Sequence, residues 1–173
     1  MTTTAFEWDD RYLVGLHDID TAHREFTLLV DALLVAADDA LLPALDAFAR
    51  HAEEHFGTEE QLMERYAFPA RECHAEEHAK VLASVHEVRA LAAEGDLQTA
   101  RELAQALADW FPGHTDYLDS AIATWVVKKT AGGAPVVLRR MRNTARAGAE
   151  PGPEPVRGSA APQARAPAGV VQP

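Results

Sequence analysis

Residues 51–78 read HAEEHFGTEEQLMERYAFPARECHAEEH, and they constrain the architecture more than any other part of the chain. Gly57 and Pro69 are the only glycine and proline in this stretch, and alanine, glutamate and histidine make up more than half of it. That composition predicts two helices joined by a tight turn near Pro69. The string HAEEH occurs once in each helix, at 51–55 and at 74–78.

The rest of residues 1–130 continues this helical pattern. Glycine and proline occupy only seven positions there, and they divide the sequence into four helical segments. We place these at 19–37, 43–66, 69–94 and 96–127, the last interrupted at Pro112 and Gly113. Asp18 or Asp20 is expected to cap the first helix, and Asp96 the fourth.

Short connections force neighbouring helices to run antiparallel, so the sequence predicts an all-α, up-down-up-down four-helix bundle. The residues before the first helix are expected to form an N-terminal arm that packs over one flank through Phe6, Trp8 and Tyr12. Residues 131–173 carry seven of the ten prolines and show no apolar periodicity, which predicts a disordered C-terminal tail. We therefore expect a folded domain at 1–130 followed by a tail at 131–173.

Charge differs between these two parts. Residues 1–130 hold 25 acidic and ten basic side chains, whereas residues 131–173 hold two acidic and six basic ones. The acidic domain argues against nucleic-acid binding. Disorder is the expected state of the basic tail, and docking on an acidic protein partner through residues 136–140 is the alternative.

Other sequence features narrow the class of protein. No apolar run approaches the ~18 residues of a membrane span, and the N-terminus shows no apolar leader, so a cytoplasmic protein without membrane contact is expected. We also expect a monomer. The single cysteine, Cys73, excludes a disulfide framework and is expected to be a free or packing thiol.

Each predicted helix places ionisable side chains in its apolar stripe, where burial is costly unless the groups are paired or bound to metal. At a rise of ~1.5 Å per residue, the distance of each of these side chains from the end of its helix places all of them at the same end of an antiparallel bundle. The set comprises five imidazoles and two carboxylates: His23, His55, Glu59, His74, His78, His114 and Asp119.

The step from His114 to Asp119 is unusual because five residues rotate by about 140° beyond a full turn of an α-helix. A π-turn reduces the offset to about 50°. We therefore expect a π-bulge or kink near residues 112–119 that turns both side chains inward. The alternative is that Asp119 faces water.

Seven such ligands without a thiolate disfavour copper(I) and iron–sulfur sites and exceed the needs of one tetrahedral zinc. Two metals sharing two bridging carboxylates would use all seven, and a coordination position left open on a redox metal is where a small ligand would bind. Both HAEEH strings also match the zinc-peptidase pattern H-x-x-E-H, but two copies in a small helical bundle fit a ladder of ligands better. His51 is expected at the rim or next to the ligands, and His17 and His86 are expected to be solvated.

The ordered set of motifs across residues 6–128 resembles the hemerythrin family in its bacterial single-domain form. The matching motifs are F-x-W with Y-x-x-G in the arm, ID-x-x-H from Ile19, H-F-x-x-E-E-x-L-M from His55, H-x-x-x-H from His74, and W-F-x-x-H-x-x-x-x-D from Trp110. Singly these motifs are weak, whereas their order in one short chain is specific.

The resemblance implies two Fe ions, an oxo- or hydroxo-bridged di-iron centre that binds dioxygen reversibly for storage, delivery or sensing. It assigns His74, His78 and His114 to one iron, and it assigns His23 and His55 to the other, which keeps the open position. Glu59 and Asp119 would bridge them. It implies a binding protein rather than an enzyme; the alternatives are a catalytic di-iron protein acting on peroxide or nitric oxide, or an oxygen-responsive signalling module.

An apolar pocket is expected at the open position. Its candidate lining residues are Phe26, Phe56, Trp110, Phe111 and Thr115. The family more often has an aliphatic residue where Thr115 stands, and Pro112-Gly113 before the histidine is also unusual. Both departures bear on how tightly dioxygen is bound and how long it stays bound. They do not bear on which residues bind the metal.

Overall fold

The computed structural model describes residues 6–132, and these form a bundle of four helical rods. A short 3₁₀ helix, Asp10–Tyr12, precedes them. The helices are α1 His17–Val35, α2 Asp38–Arg65, α3 Arg71–Ala93, α4 Leu97–His114 and α5 Ser120–Thr130, with a π-helix at Thr115–Asp119 joining the last two into one rod.

Consecutive helices pack side by side, and α1 also packs against α4 to close the bundle. No strand occurs in residues 6–132, so the predicted all-α four-helix bundle is confirmed. The largest core cluster fills one half of the bundle, with Phe26, Leu33, Leu41, Phe48 and Val85 fully buried. A smaller cluster around Met63 and Ile122 closes the opposite end.

The first helix begins two residues earlier than expected, and the predicted aspartate cap is wrong. Leu16 occupies the N-cap position and makes no side-chain cap. Asp20 instead reaches back from the first turn and accepts hydrogen bonds from the amides of Val14, at 2.7 Å, and Gly15, at 3.1 Å. A carboxylate that was expected to cap the start of the helix therefore ties the preceding arm to it.

The second helix begins at Asp38, five residues before the predicted start at Pro43. Proline removes one hydrogen bond in the second turn, but Leu41 and Leu45 on either side of it are fully buried, and their packing holds the turn in helical form. The third helix ends where expected: Gly95 has a left-handed φ of 103° and follows the last turn. Asp96 then caps α4 by accepting from the amide of Thr99, as predicted.

The fourth rod is irregular within the predicted range 112–119, but the irregularity does not begin at Pro112. Pro112 lies inside α4 and does not interrupt it. The π-helix begins three residues later, at Thr115, and ends at Asp119, which confirms the predicted π-bulge within 112–119.

The N-terminal arm packs over one flank of the bundle, as expected. The Tyr12 ring lies 5.1 Å from the ring of Phe111, and Phe6 packs against both rings at 6.1 and 6.2 Å. The guanidinium of Arg24 lies over the ring of Trp8, with its Cζ atom 4.1 Å from the centroid of the ring. The arm therefore covers the buried aromatic core between α1 and α4.

Residues 133–173 lie outside the described part of the chain, so the predicted disorder of the tail, the boundary near 131 and the docking alternative remain predictions. Cys73 is exposed and free. None of the helices in the described region has both the length and the apolar character needed to cross a membrane.

Replacing Asp20 with asparagine should loosen the arm, since a carboxylate that accepts two backbone N–H groups is a stronger acceptor than an amide. We expect a loss of about 1–2 kcal/mol in the free energy of unfolding, measured by urea denaturation of the metal-free chain. Asp18→Asn is the matched control, because it removes the same charge from the same turn of α1 at an exposed position. Equal destabilisation by the two variants would show that helix electrostatics, not the tie to the arm, is responsible.

Candidate metal centre

The structure brings together all seven predicted ligand residues at one level of the bundle. One group consists of Glu59, His74, His78, His114 and Asp119, and a second consists of His23, His55 and Glu59. None of these side chains exposes more than a few per cent of its surface. Each rod contributes at least one residue, so the site depends on the whole bundle.

The first group is built on α2, α3, α4 and the π-helix. The Nε2 atom of His78 lies 3.0 Å from that of His74 and 3.1 Å from that of His114. Adjacent ligands of an octahedron lie about 3.0 Å apart when each bond is about 2.1 Å long, whereas ligands of a tetrahedron lie about 3.4 Å apart. The spacing of His78 from each of its two neighbours is therefore that of adjacent ligands on an octahedral metal ion.

The second group lies between α1 and α2. The Nε2 atom of His23 is 3.1 Å from Oδ2 of Asp119, and the Nε2 atom of His55 is 3.3 Å from Oε1 of Glu59. Nδ1 of His23 donates to the carbonyl oxygen of Tyr12 at 2.7 Å. That hydrogen bond fixes the tautomer and leaves Nε2 as the nitrogen available to a metal.

The two carboxylates each divide their oxygens between the two groups. Oε1 of Glu59 faces His55, while Oε2 lies 3.3 Å from the Nε2 atoms of both His74 and His78. Oδ2 of Asp119 faces His23, while Oδ1 lies 3.3 Å from Nε2 of His74 and 3.2 Å from that of His114. Each carboxylate therefore presents one oxygen to each of the two groups of imidazoles.

The polar atoms at the centre are buried and lack hydrogen-bond partners. Both oxygens of Glu59, both oxygens of Asp119 and Nε2 of His23 belong to this group. Unpaired buried carboxylates are too costly to be retained without compensation, and a metal supplies it. The residues present therefore fit a pair of metal ions.

Burial and the facing charges shift the pKa values in opposite directions across the site. Burial lowers the pKa of His55 to about 4, and the attraction of Glu59 only partly opposes this. Burial also lowers the pKa of His74, but the carboxylates of Asp119 and Glu59 outweigh it and raise that pKa to about 9. Burial raises the pKa of Asp119, yet the imidazoles of His114, His23 and His74 bring it well below its usual range. Burial and the charge of Asp119 raise the pKa of Glu59, yet the imidazoles of His55, His74 and His78 outweigh them and bring it below its usual value. Each of the two groups therefore contains an ionised carboxylate at neutral pH.

The predicted pocket residues lie around these ligands. Phe26 stacks on Phe111 at 4.2 Å, and Phe111 meets the ring of His23 edge-on at 5.2 Å. Phe56 stacks on His78 at 3.9 Å. The half-buried Trp110 stacks on His114 at 4.2 Å. These rings exclude water from most of the ligand cluster.

Thr115, the departure noted in the sequence, is 1% exposed, and its hydroxyl has no hydrogen-bond partner. An unpaired buried hydroxyl beside His114 is a polar group within the otherwise apolar shell. Its role as a pocket residue remains a prediction.

Sequence reasoning missed one contact of the centre. The carbonyl of Tyr12 that holds His23 belongs to the backbone, so no side-chain pattern could have revealed it. His51, which the sequence placed at the rim or next to the ligands, has a side chain that is nine-tenths buried, and its ring stacks on His55 with the centroids 5.8 Å apart. The spacing of one helical turn between these two histidines indicated this position. The exposed His17 and His86 lie away from the cluster, and His86 pairs with Glu53.

Comparisons with known proteins agree with this geometry. A family model described as the hemerythrin HHE cation binding domain matches residues 14–126. A bacteriohemerythrin of Ralstonia nicotianae is 37% identical over 123 residues, which cover 71% of this chain and 90% of that protein. A bacteriohemerythrin of Stenotrophomonas maltophilia is 28% identical over 123 residues, covering 69% and 80% of the two chains. The chain therefore belongs to the hemerythrin family, a family of cation-binding helical domains.

Proposed function

We propose that the protein binds two iron ions and carries dioxygen reversibly, for storage, delivery or sensing. The observation that supports this most directly is the division of the Glu59 and Asp119 oxygens between two groups of imidazoles. With a single metal ion, the oxygens of a carboxylate that bind it would all face one group of imidazoles. Here the two oxygens of each carboxylate face different groups.

The two halves of the centre offer different numbers of ligands. One iron would be held by His74, His78 and His114 together with one oxygen from each carboxylate, which gives five protein ligands. The other would be held by His23 and His55 with the remaining oxygens, which gives four. With an oxo or hydroxo group shared by the two irons, the first would have six ligands and the second five. The open position would then belong to the half formed by His23 and His55.

A ferrous pair supplies the electrons and the open position at which dioxygen binds. The surrounding residues then decide whether the gas is released or consumed. Phe111 lies beside His23, with Phe26 stacked on its ring, and these apolar rings exclude water, which slows the proton transfers needed for turnover. A centre with five imidazoles and an apolar shell favours carriage over catalysis, so we propose that the protein is not an enzyme.

Anaerobic reduction followed by admission of air tests the proposal. We expect about two irons per chain and a visible charge-transfer spectrum that appears with dioxygen and disappears under argon over repeated cycles. Sustained consumption of peroxide or nitric oxide, with no stable oxygenated form, would instead identify a catalytic di-iron protein.

The bridging assignment is tested by replacing Glu59 with glutamine. An amide offers one good ligand oxygen and no charge, so it cannot bridge two metal ions. We expect the iron content to fall from about two per chain to one or fewer, measured by elemental analysis, and the melting temperature of the loaded protein to fall with it. Glu60→Gln is the matched control, since this exposed neighbour faces away from the centre and should retain both irons. Full iron content in Glu59→Gln would contradict the assignment.

The raised pKa of His74, about 9, predicts a pH dependence of metal binding. Below that value the metal-free imidazole is protonated, and a metal must displace the proton. The affinity for Co²⁺ should therefore rise about tenfold per pH unit between about pH 7 and 8.5, measured anaerobically by calorimetry. An imidazole of ordinary pKa would be neutral throughout this range.

His86→Asn should leave the slope unchanged, because this exposed histidine lies outside the centre. A constant affinity between pH 7 and 8.5 would show that no imidazole of the centre holds a proton there.

A further inference from the structure

A polar cleft between α1 and α2 plays no part in the function proposed above. Its volume is about 340 Å³. Three carboxylates line it, those of Asp18, Glu25 and Glu54, together with the imidazoles of His51 and His55. His55 is also a residue of the candidate metal centre, so the cleft and the centre share a wall.

His51 provides a second indication that the cleft receives a ligand. Its side chain is nine-tenths buried, and its Nε2 atom has no hydrogen-bond partner. Its Nδ1 atom lies 3.4 Å from Oε2 of Glu25 on the opposite helix. A buried imidazole with an unpaired nitrogen, held beside a carboxylate, is a common element of divalent-metal sites.

The charge of the cleft favours a cation. No lysine or arginine is among the described residues that line it, whereas two other cavities of the described region are each lined by a basic residue, Arg24 in one and Lys80 in the other. A cation with six waters occupies about 200 Å³, since each water takes about 30 Å³. The cleft is therefore large enough for a hydrated divalent ion and carries the charge to attract one.

We propose that this cleft binds a hydrated divalent metal ion and is the route by which iron reaches the centre. The proposal rests on the function proposed above. His55 connects the two places, because it lines the cleft while its Nε2 atom lies 3.3 Å from Oε1 of Glu59 within the centre. The half of the centre next to the cleft is the half with fewer protein ligands, so an arriving ion meets it first.

The rate of iron uptake tests the route. The full-length metal-free protein is mixed anaerobically with limiting Fe²⁺, and the uptake is followed by quenching with a ferrous chelator. In a Glu25→Gln/Glu54→Gln variant we expect the rate constant to fall about tenfold while the final iron content is unchanged. Glu87→Gln/Glu102→Gln is the matched control, because it removes the same charge at exposed positions on α3 and α4. Its rate should match that of the unaltered protein.

Binding in the cleft is tested directly with Mn²⁺ on the iron-loaded protein. The electron paramagnetic resonance signal of free Mn²⁺ should fall as one ion binds per chain, with a Kd of about 0.1–1 mM. His51→Gln should weaken this binding at least several-fold, and circular dichroism checks that the variant is folded.

The outcomes separate the two proposals. Iron uptake by the Glu25→Gln/Glu54→Gln variant at the control's rate would overturn the route. A lower final iron content would overturn it as well, because it would show that these carboxylates stabilise the centre rather than deliver iron to it. Mn²⁺ binding that His51→Gln leaves unchanged would also overturn it. If the unaltered protein takes up no pair of irons at all, the proposed function itself fails, before any variant is compared.

Discussion

Two ionised carboxylates enclosed among five imidazoles are the constraint on which this structure depends. Glu59 and Asp119 are completely buried, and in the described part of the metal-free chain only the surrounding imidazoles face their oxygens, at 3.1–3.3 Å. In a bundle of this size an uncompensated pair of buried charges would offset much of the stability gained from the apolar core. The fold is therefore best understood as a protein that is complete only with metal, in which the helices position the ligands and the metal compensates for burying them.

The sequence predicted most of the architecture because helical periodicity and short connections leave few alternatives. The stretch 51–78 and the prolines and glycines around it located four rods, and the five-residue step from His114 to Asp119 indicated the π-helix. The errors lie at helix ends. There, a side chain such as Asp20 has several backbone amides within reach, and local sequence does not say which of them it will bind.

The candidate site was predictable in its residues but not in its orientations. The positions of seven side chains follow from helix geometry, whereas the division of each carboxylate's oxygens between two imidazole groups depends on how the rods are rotated against one another. The hydrogen bond from His23 to the carbonyl of Tyr12 depends likewise on how the arm is folded over α1. That arm is held by Asp20, in the same helix as His23, and by aromatic packing on Phe111, which is far from His23 in sequence. The orientation of one ligand therefore rests on contacts that its own motif does not contain.

The π-helix at Thr115–Asp119 makes the length of this segment as important as its composition. Substitutions at its outward positions leave the backbone path intact. Loss or gain of one residue would instead rotate everything beyond it by about 100°. Asp119 would then leave the centre, and α5 would turn Ile122 and Val126 away from their packing partners. This segment of the chain should therefore tolerate changes in side chains during evolution while strictly resisting insertion and deletion.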